Sequence, residues 1–339
     1  MNGGIDGNHR LIILAIEPST NIEELIMKKR QLGRTALEIV PLVFGGNVFG
    51  WTIDEATSFK LLDRFVERGF NAIDTADVYS AWGSGLSGGE SETVIGNWLA
   101  RRGRRDDVVL MTKVGMWKPH KGLSAANIAV AIDDSLRRLK TDYIDVYFAH
   151  IDDTDVPLAE TLGAFGKLME AGKVRALGAS NYGAERLREA LATSKEQHLP
   201  RYEVIQPQYN LYDRADFESE LAGVAQAHEL GVVSYFSLAS GFLTGKYHSV
   251  EDLKGRARED FLRGYFDGRG LKLLDVLRQV AVDVSATPAQ VALAWLMGRP
   301  NLTAPIASAS SLTQLDDILG AAELSLPAAA VEKLETASQ

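Results

Sequence analysis

The sequence predicts an α/β protein built as a single (β/α)8 barrel, a TIM barrel, on three observations. From residue 37 onward, eight short apolar runs alternate with stretches of helical period. Glycine often closes a helix just before the next run, as at Gly69, Gly172 and Gly231. No phosphate-binding fingerprint follows the first run, where Gly45-Gly46-Asn47-Val48-Phe49-Gly50 departs from G-x-G-x-x-G. Strands alternating with helices pair in parallel through right-handed crossovers. Eight such units without the fingerprint favour a closed barrel over a doubly wound sheet.

The elements follow in order. Segments 29–32 and 37–40, joined around Gly33-Arg34-Thr35, read as a β-hairpin ahead of the barrel. The eight strands are expected at 40–44, 70–73, 108–111, 143–148, 174–178, 203–205, 232–236 and 302–306. Amphipathic stretches at 55–68, 124–139, 158–171 and 217–229 supply helices between them. The glycines that close helices suit the left-handed C-terminal cap, where a Cβ would clash. Segment 244–270, rich in Gly, Arg and Asp, is expected as a long loop after the seventh strand. Such loops are commonly lids or binding loops, with a surface insertion as the alternative. Residues 1–27 read as an extension outside the domain and 28–339 as one domain; the apolar run 11–16 packing on the barrel as an extra strand is the alternative.

Composition narrows the function. The chain has 339 residues, 46% hydrophobic and 24% charged, enough to bury a large core. A net charge of −9 argues against general nucleic-acid binding, which needs a basic face. The absence of cysteine excludes disulfides, thiolate nucleophiles and cysteine-ligated metals. No metal site is expected. No apolar run approaches the roughly 20 residues of a membrane helix, and a cytoplasmic location is the expectation.

In such a barrel the catalytic groups come from the C-terminal ends of different strands. Those ends carry Gly46 and Asn47, Asp74 with Tyr79 on its loop, Lys113, His150, Ser180 and Asn181, Gln206, Tyr235, and Ser308 and Ser310. Singly, each is an ordinary polar strand end. Together, Asp74, Tyr79, Lys113 and His150 line one mouth and fit one another chemically. A free tyrosine, with a pKa of about 10, is a weak acid near neutrality. A neighbouring lysine ammonium stabilises its phenolate, and Asp74 can hold that lysine charged and aimed. His150 can hydrogen-bond a substrate oxygen, so the group is poised to protonate a carbonyl as hydride arrives at carbon. The amides of Asn181 and Gln206 suit a nicotinamide carboxamide, and Tyr235 can stack on its ring.

These residues sit in recognisable words. Asn71-Ala72-Ile73-Asp74-Thr75-Ala76-Asp77-Val78-Tyr79, Met111-Thr112-Lys113 and Asp145-Val146-Tyr147-Phe148-Ala149-His150 resemble the aldo-keto reductase superfamily, in the branch related to potassium-channel β subunits. So do 172–181, Gln206-Pro207-Gln208-Tyr209-Asn210 and 235–247, and the resemblance spans roughly residues 28 to 325. It implies that Tyr79 is the general acid in reduction and the base in oxidation, supported by Lys113 and Asp74, with His150 orienting the carbonyl. It further implies that Ser180, Asn181 and Gln206 hold the carboxamide and Tyr235 the ring. Leu238, Ser240, Lys246 and Arg256 would follow the pyrophosphate, and Ser308, Ser310, Gln314 and Asp317 the adenosine end. Gly46, Asn47 and Asp74 join the cofactor-binding set. The hairpin would close the barrel bottom.

The sequence departs from the family pattern in places. Phe236 stands where serine is common, Ser308 and Gln314 where many members carry cations for a 2′-phosphate, and Ile318 where asparagine is common. NADPH is the expected cofactor, with NADH open. Trp51, Trp82 and Trp117 are candidates for the substrate wall, with packing under their loops as the alternative. The reaction expected is reduction of a small-molecule aldehyde or ketone, including sugar-like carbonyls. A nicotinamide-binding sensor subunit with little turnover is the main alternative. A third reading makes Lys113 a Schiff-base nucleophile, which needs a depressed pKa that Asp74 opposes.

Overall fold

A computed structural model of the chain describes residues 28–255 and 258–339, together with Met1. The expected extension, with its apolar run 11–16, and Arg256 lie outside the described residues. A two-stranded antiparallel hairpin, β1 (Arg30–Gln31) and β2 (Glu38–Ile39), precedes eight parallel strands. These are β3 (Val43–Gly45), β4 (Ala72–Asp74), β5 (Val109–Val114), β6 (Ile144–Ala149), β7 (Val174–Ser180), β8 (Tyr202–Gln206), β9 (Gly231–Ser234) and β10 (Ala304–Ala307). They close in sequence order, with β10 returning to β3. Every expected strand is present within a few residues of its place.

Alternation along the strands explains the closure. Val43, Ala72, Val109, Met111, Val146, Phe148, Ala176, Val204, Val233, Ala304 and Ile306 form one buried cluster filling the barrel. The residues between them, including Phe44, Ile73, Leu110, Tyr147, Leu177, Ile205 and Val232, belong to a second cluster shared with the helices. Successive strand side chains point to opposite faces, so apolar strands serve both layers at once. Leu32 and Ile39 of the hairpin join the inner cluster and plug its N-terminal end.

The surrounding helices are α1 (Glu55–Glu67), α2 (Glu90–Arg102), α3 (Ala125–Leu139), α4 (Leu158–Glu170), α5 (Ala184–Glu196), α6 (Ala222–Ala227), α7 (Glu259–Leu262), α8 (Gly268–Asp283), α9 (Pro288–Met297), α10 (Leu312–Gly320) and α11 (Ala328–Ala337). Asp54, Ser124, Asp267 and Thr287 cap α1, α3, α8 and α9 by accepting from first-turn amides. Among the described residues no single helix is long and apolar enough to cross a membrane.

Three expectations are refined. The stretch 217–229 begins as a π-helical turn, Phe217–Leu221, before continuing as α6. The segment after β9 is not structureless, since it carries helical turns at Val250–Leu253 and Arg263–Tyr265 and the short α7. Gly69 and Gly172 take the left-handed conformation, with φ of 85° and 71°, but before Gly231 that role falls to Glu229, φ 53°. Gly231 is required for proximity instead. A Cβ there would lie 2.7 Å from the Gly33 nitrogen of the hairpin.

Gly231→Ala is therefore expected to lower stability by about 1–3 kcal/mol as the hairpin is pushed off the barrel floor. Gly223, exposed within α6 with open space about its Cα, is the control. Gly223→Ala is expected to raise stability by about 0.5–1 kcal/mol. Denaturant melts of both variants check the pair, and a neutral Gly231→Ala would refute the proximity argument.

Candidate active site

The alternation that fills the barrel also builds its mouth. Asp74 lies two residues beyond inward Ala72, Lys113 beyond Met111, His150 beyond Phe148, Gln206 beyond Val204, Tyr235 beyond Val233 and Ser308 beyond Ile306. The same register that sends apolar side chains inward at mid-barrel sends polar ones inward at the C-terminal end. Gly178, on the inner row of β7, leaves space for Phe148, whose ring occupies the volume a Cβ would fill.

Lys113 is fully buried and donates to Asp74 Oδ2 at 2.8 Å, the Thr75 carbonyl at 2.8 Å and Tyr79 Oη at 2.7 Å. Tyr79 Oη donates to Asp74 Oδ2 at 3.0 Å, and Gln206 Nε2 donates to Asp74 Oδ1 at 2.9 Å. Burial, and after it the Asp74 charge, holds the Tyr79 phenol well above its ordinary pKa. The lysine's expected pull on the phenol is therefore outweighed here, and neutral phenol is the resting form. Burial draws the Lys113 pKa down while Asp74 opposes it. Three accepting oxygens match the three N–H bonds of an ammonium, which leaves no lone pair for a Schiff base. Burial, then Lys113, holds His150 well below the usual imidazole range, so its ring is neutral at pH 7. Among the described residues His150 Nδ1 is buried without a partner, and the ring centroid stands 6.2 Å from that of Tyr79.

The expected carboxamide groups adjoin this cluster. Ser180 Oγ donates to the Gln206 carbonyl at 2.9 Å, Asn181 Nδ2 to the His150 carbonyl at 2.8 Å, and Tyr235 Oη to Asn181 Oδ1 at 2.8 Å. A cavity of about 220 Å³ opens beside Asn181, Tyr182, Gln206, Gln208, Phe217 and Tyr235. After β9 the backbone turns left-handed at Phe236, Ala239 and Ser240, with φ of 52°, 47° and 57°. Non-glycine residues held this way cluster at ligand clamps, and mixed-handed runs form anion-binding concavities. The Lys246 ammonium lies over Gly241 in this run and against the Tyr247 ring. Amides beside the phenol and a lysine over a strained turn fit a nicotinamide at one end and phosphates at the other.

The remaining candidates are spread around the rim. Ser308 Oγ donates to Asn47 Oδ1 at 2.6 Å, tying β10 to the loop after β3. A Cβ on Gly46 would lie 2.9 Å from the Asp74 carbonyl, so only glycine passes there. Ser310 donates through both N and Oγ to Gln314 Oε1. Asp317 accepts from Thr287 Oγ1 at the start of α9. Leu238 and Ser240 lie in the left-handed run. Trp82 meets the Tyr79 ring at 5.7 Å and Trp51 edge-on at 5.6 Å. Trp117 instead donates to the Ser87 carbonyl beneath the Arg138 guanidinium, on the loop rather than against Tyr79.

One group escaped the reading of the sequence. Among the described residues, Asp77 is fully buried with no well-formed hydrogen bond to either carboxylate oxygen, and Tyr147 Oη is likewise buried and unpartnered. Nearby, Glu92 accepts from Thr112 Oγ1 at 2.6 Å and Arg138 Nε at 2.7 Å. The signal was available, since Asp77 stands three residues beyond Asp74 in the same word. Burial, then the Glu92 charge, pushes the Asp77 carboxyl well above its ordinary range, against opposing pulls from Arg138, the Val78 backbone N–H and Lys113.

A carboxyl whose pKa is raised on folding favours the folded state fully below its unfolded value of about 3.9 and progressively less above it. Replacing it with a neutral isostere removes that loss. Asp77→Asn is expected to gain Tm relative to the parent as pH rises from 5 to 8. A gap that stays flat across this range in thermal melts would mean that Asp77 is ionised in the fold.

Comparison with known proteins agrees with this architecture. A family model described as "Aldo/keto reductase family" matches residues 41–339. The chain is 34% identical over 312 residues to "Uncharacterized oxidoreductase YrpG" of Bacillus subtilis, covering 88% of this chain and 92% of that protein. It is 31% identical over 330 residues to "Probable voltage-gated potassium channel subunit beta" of Oryza sativa, covering 92% and 97%. It is also 31% identical over 341 residues to "Protein tas" of Escherichia coli, covering 92% and 98%. With a match over nearly the whole barrel and its mouth, the chain belongs to the aldo/keto reductase family.

Proposed function

We propose that the protein reduces small-molecule aldehydes or ketones to alcohols with NADPH, using Tyr79 as the proton donor. The observation that carries this reading is a single phenol bonded to both a buried ammonium and a buried carboxylate at the barrel mouth. A bound dihydronicotinamide supplies the hydride that reaches the carbonyl carbon. Tyr79 Oη gives its proton to the carbonyl oxygen. Lys113, 2.7 Å away, stabilises the phenolate left behind, and Asp74 keeps Lys113 in place. Neutral His150 contributes a hydrogen bond to the same oxygen and adds no competing charge. In oxidation the phenolate takes the proton back.

Ser180, Asn181, Gln206 and Tyr235 would hold the nicotinamide, with Leu238, Ser240 and Lys246 along the phosphates and Ser308, Ser310, Gln314 and Asp317 at the adenosine. NADPH is the choice of family habit. Among the described residues, however, no lysine or arginine hydrogen-bonds to Ser308, Ser310 or Gln314, so NADH is the comparison to run. The rice relative's name supports a second reading, a nicotinamide-binding regulatory subunit with little turnover.

Tyr79→Phe is expected to cut turnover of 4-nitrobenzaldehyde by at least about a hundredfold, the usual worth of a positioned general acid. Cofactor affinity, read by fluorescence titration, should stay near that of the parent. The parent assayed with NADPH and NADH in parallel sets the cofactor preference. Activity retained in Tyr79→Phe would remove the proton-donor role, and tight cofactor binding without turnover of any aldehyde would favour the regulatory reading.

A further inference from the structure

In a protein of net charge −9, most guanidiniums find an acid or a carbonyl. In the segment joining β9 to α8, Arg263 pairs with Glu259. Arg269 and Arg278 at the start and middle of α8 donate to backbone carbonyls. Arg258 differs. Among the described residues its guanidinium has neither a hydrogen bond nor an ion pair, although the residue is half-buried. Its one close neighbour of note is an aromatic face, with the guanidinium carbon 5.9 Å from the centre of the Trp51 ring.

The place of that ring gives the contact meaning. Trp51 follows β3 and Trp82 follows β4, while Asn181 and Gln206 end β7 and β8. In a ring of eight strands, β3 faces β7 and β4 faces β8. The tryptophan wall therefore stands across the mouth from the amides expected to hold nicotinamide. Trp51 meets Trp82 at 89°, Trp82 meets Tyr79, and Trp82 keeps 48% of its surface exposed. A substrate with its carbonyl at Tyr79 Oη would extend along this wall. The lid leaves β9, carries Lys246 over the left-handed turn, and brings Arg258 to Trp51 on the β3 side. Arg258 thus ends beyond the turn suited to phosphates, at the outer end of the aromatic wall.

We propose that Arg258 forms an anion subsite for the substrate, so that the enzyme favours carbonyl compounds bearing a carboxylate or phosphate at the end remote from the carbonyl. The class is a flat or ring-containing aldehyde or ketone that covers Trp82 and Trp51 and carries its charge to the lid. Burial without a compensating acid lowers the Arg258 pKa, with only Tyr247 set against that effect. An incoming anion would supply the missing partner, and a charge-assisted hydrogen bond in a partly desolvated site is a strong contact. Planar carboxylates and phosphates match the guanidinium fork, and the tryptophan face keeps the fork oriented.

This inference rests on the reductase reading for its kinetic test but has a binding test that does not. The kinetic test compares 4-carboxybenzaldehyde with 4-nitrobenzaldehyde in the parent, Arg258→Gln and Arg258→Lys. Arg258→Gln is expected to lower the ratio of kcat/KM values, charged over neutral, by about tenfold, the equivalent of one charge-assisted hydrogen bond. Arg258→Lys should keep part of that ratio. The binding test follows tryptophan quenching by terephthalate, which should weaken by a similar factor in Arg258→Gln. An unchanged ratio with unchanged quenching would overturn the proposal. So would a loss of NADPH affinity in place of selectivity, which would assign the guanidinium to the cofactor phosphates. If no aldehyde is turned over, the reductase reading fails by itself, and the terephthalate titration still decides the subsite.

Discussion

A lysine ammonium with no exposure to water sits at the mouth of this barrel because three oxygens are fixed around it. Asp74 supplies the carboxylate, the next residue supplies a carbonyl, and Tyr79 supplies the phenol. Removing any one would leave a buried charge under-satisfied, which is strongly unfavourable in a low-dielectric interior. The arrangement therefore constrains everything that delivers those oxygens: the end of β4, the loop that brings Tyr79 back over it, and the register of β4 against β5 that pairs Asp74 with Met111. The cluster also reaches across the barrel, since Gln206 bonds to the second oxygen of Asp74. Sites expected to serve different ligand groups are thus joined in one hydrogen-bonded unit.

Much of this was legible in the sequence because one rule serves both stability and chemistry. A period of two along each strand fixes which apolar residues fill the barrel, and extending it names Asp74, Lys113, His150, Gln206 and Tyr235 as the polar crown. Local words did the rest, and the family match agrees with them. What could not be read depends on residues distant in sequence meeting in space. Gly231 is glycine because of Gly33, nearly 200 residues earlier, and not because a helix ends beside it. Trp117 belongs with Ser87 and Arg138, a partnership that no spacing announces. Asp77 sat in plain view, but its isolation appears only once Tyr147 and Glu92 are placed around it.

The electrostatics of the mouth are asymmetric. Tyr79 is kept protonated and His150 uncharged by the same burial, so the resting site offers a proton and a hydrogen bond while its formal charges, Asp74 and Lys113, cancel in contact. Such a site presents little net field to a neutral carbonyl. Selectivity for a ligand would then fall to the rim, where the Trp51 and Trp82 faces stand, and not to the charges at the centre of the mouth. The segment after β9 adds to that rim, since its Phe261 side chain is 63% exposed and packs on Phe236.

The seam where β10 rejoins β3 rests on two residue pairs, Ile306 with Val43 and Ala307 with Phe44, beside the Ser308–Asn47 bond. By contrast, β6 and β7 share five pairs. The junctions of β8 with β9 and of β9 with β10 likewise rest on two pairs each, so this arc of the ring is the thinner one, and its last seam joins strands more than 250 residues apart along the chain. Closing so large a loop is among the slower steps in folding. During synthesis, a nascent chain that has emerged only past Gln206 holds Asp74, Tyr79, Lys113, His150 and Gln206 in its sequence yet has no closed cylinder to fix them. Their geometry would then be set only when β10 closes against β3.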